Sequence, residues 1–231
     1  MVCAMNRLKI IVTAGPTREY IDSVRFISNA SSGLMGCQVA AAAAAKHDVT
    51  LLIGGSGPPA DILPGLGQVE MVGFSSVGDL KAKLTERFAA CDVLVMSAAV
   101  GDFRLAEPIE GKIPRSGGAI TLRLEPTEDI LGSLAESKRS DQVVVAFAVE
   151  DGPADQIEAK ARGEMRAKGA SCVVVNTPAA MGNNESEACI LTADGVLKPW
   201  GNRPKKELAG LIVDILEHLR GDLVEKKGDE S

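Results

Sequence analysis

Aromatic residues and histidine are scarce in this chain of 231 residues, and their scarcity excludes several kinds of chemistry. Phe, Trp and Tyr make up 3% of the sequence, and the formal net charge is -6. Nucleic-acid binding relies on stacking aromatics and basic surfaces, so it is not expected. The two histidines, His47 and His218, offer little material for a metal site or a general base. We expect each to lie on the surface near a helix end.

Long apolar runs and paired cysteines are also missing. No stretch reaches about 18 apolar residues, so no membrane span is expected, and Asn6, Arg7 and Lys9 interrupt any signal-peptide core. Widely spaced cysteines without a CxxC pattern predict a reduced, cytoplasmic protein with buried thiols. The cysteines are Cys3, Cys37, Cys91, Cys172 and Cys189.

The signatures of nicotinamide-dependent reductases are absent as well. The fingerprint GxGxxG fails because no glycine lies two positions before Gly33 in the Gly33-to-Gly36 stretch. Short-chain reductases use a Tyr-x-x-x-Lys pair, but Tyr20, the only tyrosine, is followed four residues later by Val24. An NAD(P)-dependent short-chain reductase is therefore kept only as a minor alternative.

What the chain does contain is a regular alternation of strand and helix patterns. Apolar, β-branched runs predict strands at 10–12, 49–53, 68–74, 93–96, 121–124, 142–149 and 172–175. Helices are predicted at 37–45, 79–90, 157–168 and 205–220, with a further helix capped by Thr127 and a hairpin across Asp194-Gly195. This order predicts an α/β fold, a Rossmann-like doubly wound and mostly parallel sheet with helices on both faces. We expect one domain over 1–220 and a charged flexible tail over 221–231.

The first strand–helix unit, residues 9–36, has the features of an anion site. Its strand must stop at Gly15-Pro16, and Ser31-Ser32-Gly33 precedes an alanine-rich helix. The free N–H groups and positive dipole of a helix start favour phosphate or carboxylate. Ser-Ser-Gly serves equally well as an ordinary helix cap, so both interpretations stay open.

Two later loops carry further candidate residues. Small residues after strand 93–96 would let a ligand approach the backbone, and Asp102 there would bind a hydroxyl, an amide or a metal–phosphate group, or simply cap a loop. The Pro- and Gly-rich excursion over 104–121 contains Lys112 and Arg115. It is either a flap that closes on a phosphate or a solvated surface hairpin.

The motifs in this order resemble a known family. TAGPTREYID, VRFISNASSGLMG, MSAAVGDFR, GKIPR, LEPTEDIL and VVAFAVE are similar to the blocks of phosphopantothenoylcysteine synthetase, the phosphopantothenate–cysteine ligase, over about residues 9–217. The resemblance implies a ligase of coenzyme A biosynthesis that joins 4'-phosphopantothenate to L-cysteine through an acyl-cytidylate. CTP, with ATP as the alternative, would be the co-substrate, together with Mg²⁺ and without flavin. Many bacterial relatives fuse this domain to a flavin-dependent decarboxylase. Here we expect a free-standing homodimer able to associate with a separate phosphopantothenoylcysteine decarboxylase.

The resemblance also assigns site residues. Asn29 and Lys112 would be catalytic. Substrate would contact Ser31, Ser32, Gly33, Ala98, Ala99, Asp102 and Arg115. The nucleotide would contact Gly15, Asp102, Lys112, Glu128, Asp129, Ile130, Leu131, Phe147 and Lys168.

Three positions depart from the family pattern. Leu34, Pro114 and Glu164 stand where the family has lysines, although Lys160 lies one turn from Glu164. Lost positive charge weakens triphosphate binding. The sequence therefore leaves open a rearranged nucleotide site, a different base preference, or a non-catalytic or altered-specificity paralogue that binds nucleotide or phosphopantothenate.

Overall fold

The computed structural model describes residues 7–107, 109–115 and 118–229. Its strands are β1 Lys9–Ala14, β2 Arg18–Tyr20, β3 Phe26–Ser28, β4 Asp48–Ile53, β5 Glu70–Gly73, β6 Val93–Met96, β7 Phe103–Leu105, β8 Leu124–Pro126, β9 Val143–Val149, β10 Cys172–Asn176, β11 Glu185–Thr192 and β12 Gly195–Pro204. Its α-helices are α1 Leu34–Ala44, α2 Val77–Phe88, α3 Ile130–Ala135, α4 Ala154–Ala167 and α5 Lys205–Asp229. Cys3 lies outside the described residues.

Eight strands form the central sheet, in the order β12-β11-β10-β9-β6-β1-β4-β5. The six strands from β10 to β5 are parallel, and β11 and β12 add an antiparallel hairpin at one edge. Chain order reverses direction between β1 and β6, which makes their carboxyl ends the switch point where ligands bind in such sheets. The predicted doubly wound fold is confirmed.

Helices cover both faces because side chains alternate along each strand. Ile10 and Val12 of β1 belong to a core that includes α1 and α5. Ile11, between them, belongs to the second core, with α2, α3 and α4. Four thiols are buried, as predicted, and burial raises the pKa of Cys37 to about 11 and of Cys172 to about 12.

Several predicted boundaries were wrong. The strand expected at 121–124 is β8, shifted because it pairs with β7 through Leu105 and Leu124. The cap of α3 is Asp129, whose carboxylate accepts from Gly132 N at 3.0 Å. The Thr127 hydroxyl instead donates to the carbonyl of Gly101 at 2.6 Å, so it joins two loops rather than starting a helix.

The last helix and the histidines also differ from expectation. Helix α5 continues beyond Arg220 because Leu223 still packs on the core. His47 is buried, not on the surface: its Nε2 lies 2.9 Å from Glu217 Oε1, and its Nδ1 accepts from Leu8 N. Among the described helices, none combines the length and apolar character that crossing a membrane requires.

Candidate functional site

The loops that follow β1 and β6 are joined by backbone hydrogen bonds at the switch point. Ala99 N donates to the Gly15 carbonyl at 3.0 Å, and Thr17 N donates to the Ala99 carbonyl at 3.2 Å. The buried Thr17 hydroxyl accepts from Gly101 N at 2.9 Å. Both loops are thereby held as one rigid edge above the sheet.

Small residues let helix α1 approach this edge closely. Ser97 Oγ donates to the Thr13 carbonyl at 2.5 Å, and the Thr13 hydroxyl accepts from Ala98 N at 3.0 Å. A Cβ on Gly36 would lie 2.5 Å from Ser97 Oγ, closer than atoms can pack. The glycine therefore lets the first turn of α1 lie directly on the loop after β6.

The start of α1 borders a cavity of about 110 Å³. Gly33 is the N-cap, with a φ of 74° and no side-chain hydrogen bond to the helix. Ser31 Oγ accepts from Gly33 N at 3.3 Å, and Ser32 Oγ accepts from Leu34 N at 3.4 Å. The serines thus shape the turn, and the remaining N–H groups and the dipole of α1 favour an anion.

A second cavity, of about 520 Å³, adjoins the first and shares Ala98, Ala99, Phe147, Val149 and Met181 with it. It gathers seven of the nine predicted nucleotide contacts, namely Asp102, Glu128, Asp129, Ile130, Leu131, Phe147 and Lys168. The predicted catalytic residue Asn29 and the predicted substrate contacts Ala98 and Ala99 line it as well. The Asn29 amide donates to the Val100 carbonyl at 3.0 Å. The wall shared by both cavities is thus the place where two ligands would meet.

The larger cavity is acidic. Five of its lining residues are carboxylates: Asp102, Glu128, Asp129, Glu150 and Glu164. Lys168 Nζ lies 3.8 Å from Asp129 and 3.7 Å from Glu164. Lys160 pairs with Glu150 at 2.8 Å, and this hydrogen bond raises its pKa. Lys160 Nζ also lies 4.0 Å from Glu164 Oε1, so it partly compensates that carboxylate although it does not itself line the cavity.

Two predicted residues of the flap, Lys112 and Arg115, are not brought to either cavity. Lys112 is exposed between Gly111, whose carbonyl accepts from Ser23 N, and Ile113, whose N–H donates to the Asp22 carboxylate. Arg115 borders a separate apolar groove. The flap is thus held in its middle, on both sides of Lys112, and Lys112 and Arg115 remain outside the cavities.

Gly15 also lines neither cavity. Its φ is 79°, and a Cβ there would lie 2.6 Å from the Gly54 carbonyl oxygen. Gly33 packs against it, since a Cβ on Gly33 would lie 3.0 Å from Gly15 N. Gly15 therefore supports the turn before α1 from below, and its contact with nucleotide stays a prediction.

Sequence reasoning missed Lys205 and Glu19. Lys205 lines the smaller cavity with its Nζ donating to the Ala180 carbonyl at 2.7 Å. It lies three residues before the buried Leu208 and seven before Ile212, which puts it on the apolar face of α5, but this spacing alone does not mark a lysine as a site residue. Glu19 Oε1 accepts from Val77 N at 2.8 Å and so caps α2.

The carboxylates of the larger cavity are the candidate ligands for a metal ion. No three His, Cys, Asp or Glu residues in the described part of the chain are grouped closely enough to hold an ion by themselves. Mg²⁺ is commonly held by one or two carboxylates together with substrate phosphates. Asp102 fits that arrangement, because no described cation pairs with its carboxylate.

Comparisons with known proteins agree with this architecture. The chain is 36% identical over 219 residues to the coenzyme A biosynthesis bifunctional protein CoaBC of Mycobacterium tuberculosis strain H37Rv, covering 90% of this chain and 51% of that protein. It is 33% identical over 214 residues to a cysteine/cysteine sulfinic acid decarboxylase of an unknown prokaryotic organism, covering 90% and 58%. The chain thus spans about half the length of these curated relatives.

A solved structure and a family match complete the comparison. The C-terminal domain of a CoaBC protein superposes with a TM-score of 0.73 at 30% identity, covering 95% of this chain and 98% of that one. Residues 5–219 match the family described as DNA/pantothenate metabolism flavoprotein C-terminal domain. The chain belongs to that family.

Proposed function

We propose that the protein is a phosphopantothenate–cysteine ligase acting in coenzyme A biosynthesis. The observation that carries the proposal is the pair of adjoining cavities, one at the free start of α1 and one beside α3 and α4, with a common wall at Ala98 and Ala99. An anionic acid in the first cavity and a nucleotide in the second would meet at that wall. The membership of the family and the likeness to CoaBC proteins support the same reaction.

The reaction has two steps. A carboxylate oxygen of 4'-phosphopantothenate attacks the α-phosphorus of CTP, the bond to the β-phosphate breaks, and pyrophosphate leaves. The cysteine amine then attacks the acyl carbon, loses a proton, and CMP departs with the bonding electrons. Both steps need charge stabilisation and alignment more than a protein nucleophile, which suits a site with few histidines.

The protein's own residues would bind and orient the reactants. Ser31, Ser32 and Gly33 would hold the phosphate of phosphopantothenate, and Asn29, which lines the larger cavity, would donate to the developing acyl phosphate. Lys168 and the flap residue Lys112 would contact the triphosphate after the flap moves. Mg²⁺, held by Asp102 and the phosphates, would neutralise charge on the triphosphate.

Pyrophosphate release by the purified protein tests this function. With 4'-phosphopantothenate, cysteine and Mg²⁺, CTP and ATP are supplied in parallel. We expect release that requires phosphopantothenate, that is faster with CTP, and that falls in Asn29→Asp and Lys112→Gln. Absence of release with both nucleotides, from protein with an intact unfolding transition, contradicts the ligase.

The second candidate is a binding paralogue without ligase activity. The observation that favours it is the acidic lining of the larger cavity, where Lys168 already pairs with Asp129 and Glu164. Such a protein would bind phosphopantothenate in calorimetry yet release no pyrophosphate. The two candidates therefore differ in a single assay.

We also propose a homodimer, by analogy with the family. Supporting this, apolar side chains are exposed on the two small hairpins β2–β3 and β7–β8, at Tyr20, Phe26, Phe103 and Leu124. Soluble proteins rarely leave such a group of large apolar residues in water.

A further inference from the structure

The smaller cavity contains a buried cation without a partner of opposite charge. Lys205 is 7% exposed, and no described carboxylate pairs with it. Its hydrogen bond to the Ala180 carbonyl uses one of three N–H donors. An ammonium group removed from water without an anion is unfavourable, and burial accordingly lowers the pKa of Lys205.

A second buried polar residue, Ser186, borders the same cavity, and its hydroxyl is an unused hydrogen-bond donor. Ser186 is 3% exposed, borders the cavity, and forms no side-chain hydrogen bond to any described residue. Asn176 lies on the same wall. Lys205 keeps two N–H donors unused and the Ser186 hydroxyl lines the same cavity, so the geometry suits a ligand that accepts from both.

The charges of the two cavities give that ligand an orientation. Among the described residues lining the smaller cavity, Lys205 alone is charged, whereas five carboxylates line the larger one. The start of α1 faces the same small space and adds positive potential. An anion of the size of a phosphate is therefore favoured at the Lys205 end and disfavoured in the larger cavity without a metal.

We propose that Lys205 binds the phosphate of the substrate and is the residue by which the protein distinguishes 4'-phosphopantothenate from pantothenate. The inference rests on the proposed function and extends it to substrate specificity. The phosphate lies between Lys205, Ser186 and the first turn of α1, which directs the carboxylate of the same molecule toward Ala98 and Ala99.

A purely structural role for Lys205 makes a different prediction. If the side chain serves only to hold the Ala180 carbonyl, glutamine should replace it, because an amide keeps a donor but carries no charge. If the charge binds phosphate, Lys205→Gln and Lys205→Met should behave alike toward the phosphorylated ligand. Lys206→Gln is the matched control, since Lys206 is the exposed neighbour on the same helix.

The experiment measures the affinities of the wild type and these three variants for 4'-phosphopantothenate and for pantothenate by calorimetry. Loss of a charge-assisted contact should weaken phosphopantothenate binding about 10- to 100-fold in both Lys205 variants. Pantothenate binding should change less than about threefold, because it lacks the group that the charge contacts. Lys206→Gln should match the wild type.

The outcomes separate this inference from the proposed function. Unchanged phosphopantothenate affinity in Lys205→Gln overturns the inference and leaves the ligase standing. If the wild type does not bind phosphopantothenate, the ligase fails, and inorganic phosphate becomes the probe: equal affinity in wild type and Lys205→Gln then overturns the anion site too. Should a variant fail to fold, the ¹⁵N signal of the Lys205 ammonium in the wild type decides, since it must shift with phosphopantothenate and not with pantothenate.

Discussion

The buried carboxylate of Asp22 accepts a hydrogen bond of 3.1 Å from the backbone N–H of Ile113, the residue that follows Lys112. The same carboxylate accepts from the backbone and guanidinium of Arg25. The loop between β2 and β3 thus holds the middle of the flap, directly beside Lys112. Lys112 would reach a ligand only if these hydrogen bonds broke or the loop moved with the flap.

Replacing Asp22 with asparagine should loosen the flap, because the amide accepts more weakly and cannot pair with Arg25. We expect trypsin to cleave after Lys112 several times faster in Asp22→Asn than in the wild type. Asp61→Asn, an exposed change in another loop, is the control. Equal cleavage rates in all three proteins would show that Asp22 does not hold the flap.

The same carboxylate makes stability depend on pH. Burial alone would raise the pKa of Asp22, but the N–H groups of Arg25, Val24 and Ile113 and the Arg25 charge lower it below the ordinary value. Its stabilising contribution is therefore complete above the unfolded pKa of about 3.9 and is lost as the pH falls through the lower folded value. The difference in urea midpoint between wild type and Asp22→Asn should shrink over that acid range. A constant difference would contradict the assignment.

Reversing the charge of Glu164 should strengthen nucleotide binding. Glu164 lines the larger cavity and lies 3.7 Å from Lys168, so Glu164→Lys replaces a negative charge with a positive one and releases Lys168 from one of its ion pairs. We expect CTP affinity to rise about 3- to 10-fold at low salt and the gain to decline as salt screens it. Glu86→Lys makes the same net change at the opposite end of the sheet and should have little effect. An equal gain in CTP affinity in both variants would indicate that the effect comes from the overall charge of the protein and not from the cavity.

Substituting Gly33 should damage the start of α1. Alanine is strained at a φ of +74°, and its Cβ would lie 3.0 Å from Gly15 N, so Gly33→Ala should cost about 1–3 kcal/mol in the free energy of unfolding. Gly78→Ala in α2, where the nearest atom is 3.9 Å away, is the control and should be neutral or stabilising by about 0.4–1 kcal/mol. Guanidinium unfolding measures both. Similar stability of the two variants would mean that the turn tolerates a side chain.

The exposed hairpins predict a dimer that substitutions can separate. Sedimentation velocity at micromolar concentration should show a dimer for the wild type and a monomer for the double variant Phe26→Ser with Phe103→Ser. Val196→Ser, an equally exposed change on β12, should remain dimeric. A wild type that sediments only as a monomer would refute the proposal.

The inner strands of the central sheet were predictable because they are buried on both faces. Runs such as that of β6, whose four residues are all buried, leave a continuous apolar signal that needs no knowledge of the neighbours. Short strands were different. The three residues of β2 and of β3 pair only with each other, and β8 takes its position from β7, so tertiary pairing rather than local pattern decides where they lie.

The residues of the candidate site also fall into predictable and unpredictable ones. Residues of glycine-rich turns, such as Gly33, can be predicted because the turn requires a conformation that glycine adopts most easily. Lys205 does not, because a Lys-Lys pair at a helix start is ordinary in sequence and only the packing of α5 decides which lysine is buried. The missed His47 has the same cause, since Glu217 satisfies its ring from the far end of the chain.

The position of Lys205 at the first residue of α5, beside the first turn of α1, has a consequence for binding. A ligand between Lys205 and the first turn of α1 would join the first helix of the chain to its last one. Binding energy would then appear as added resistance of α5 to detachment. Increased protection of the α5 amides from hydrogen exchange would therefore show that the ligand is bound, although α5 contributes only the side chain of Lys205 to the site.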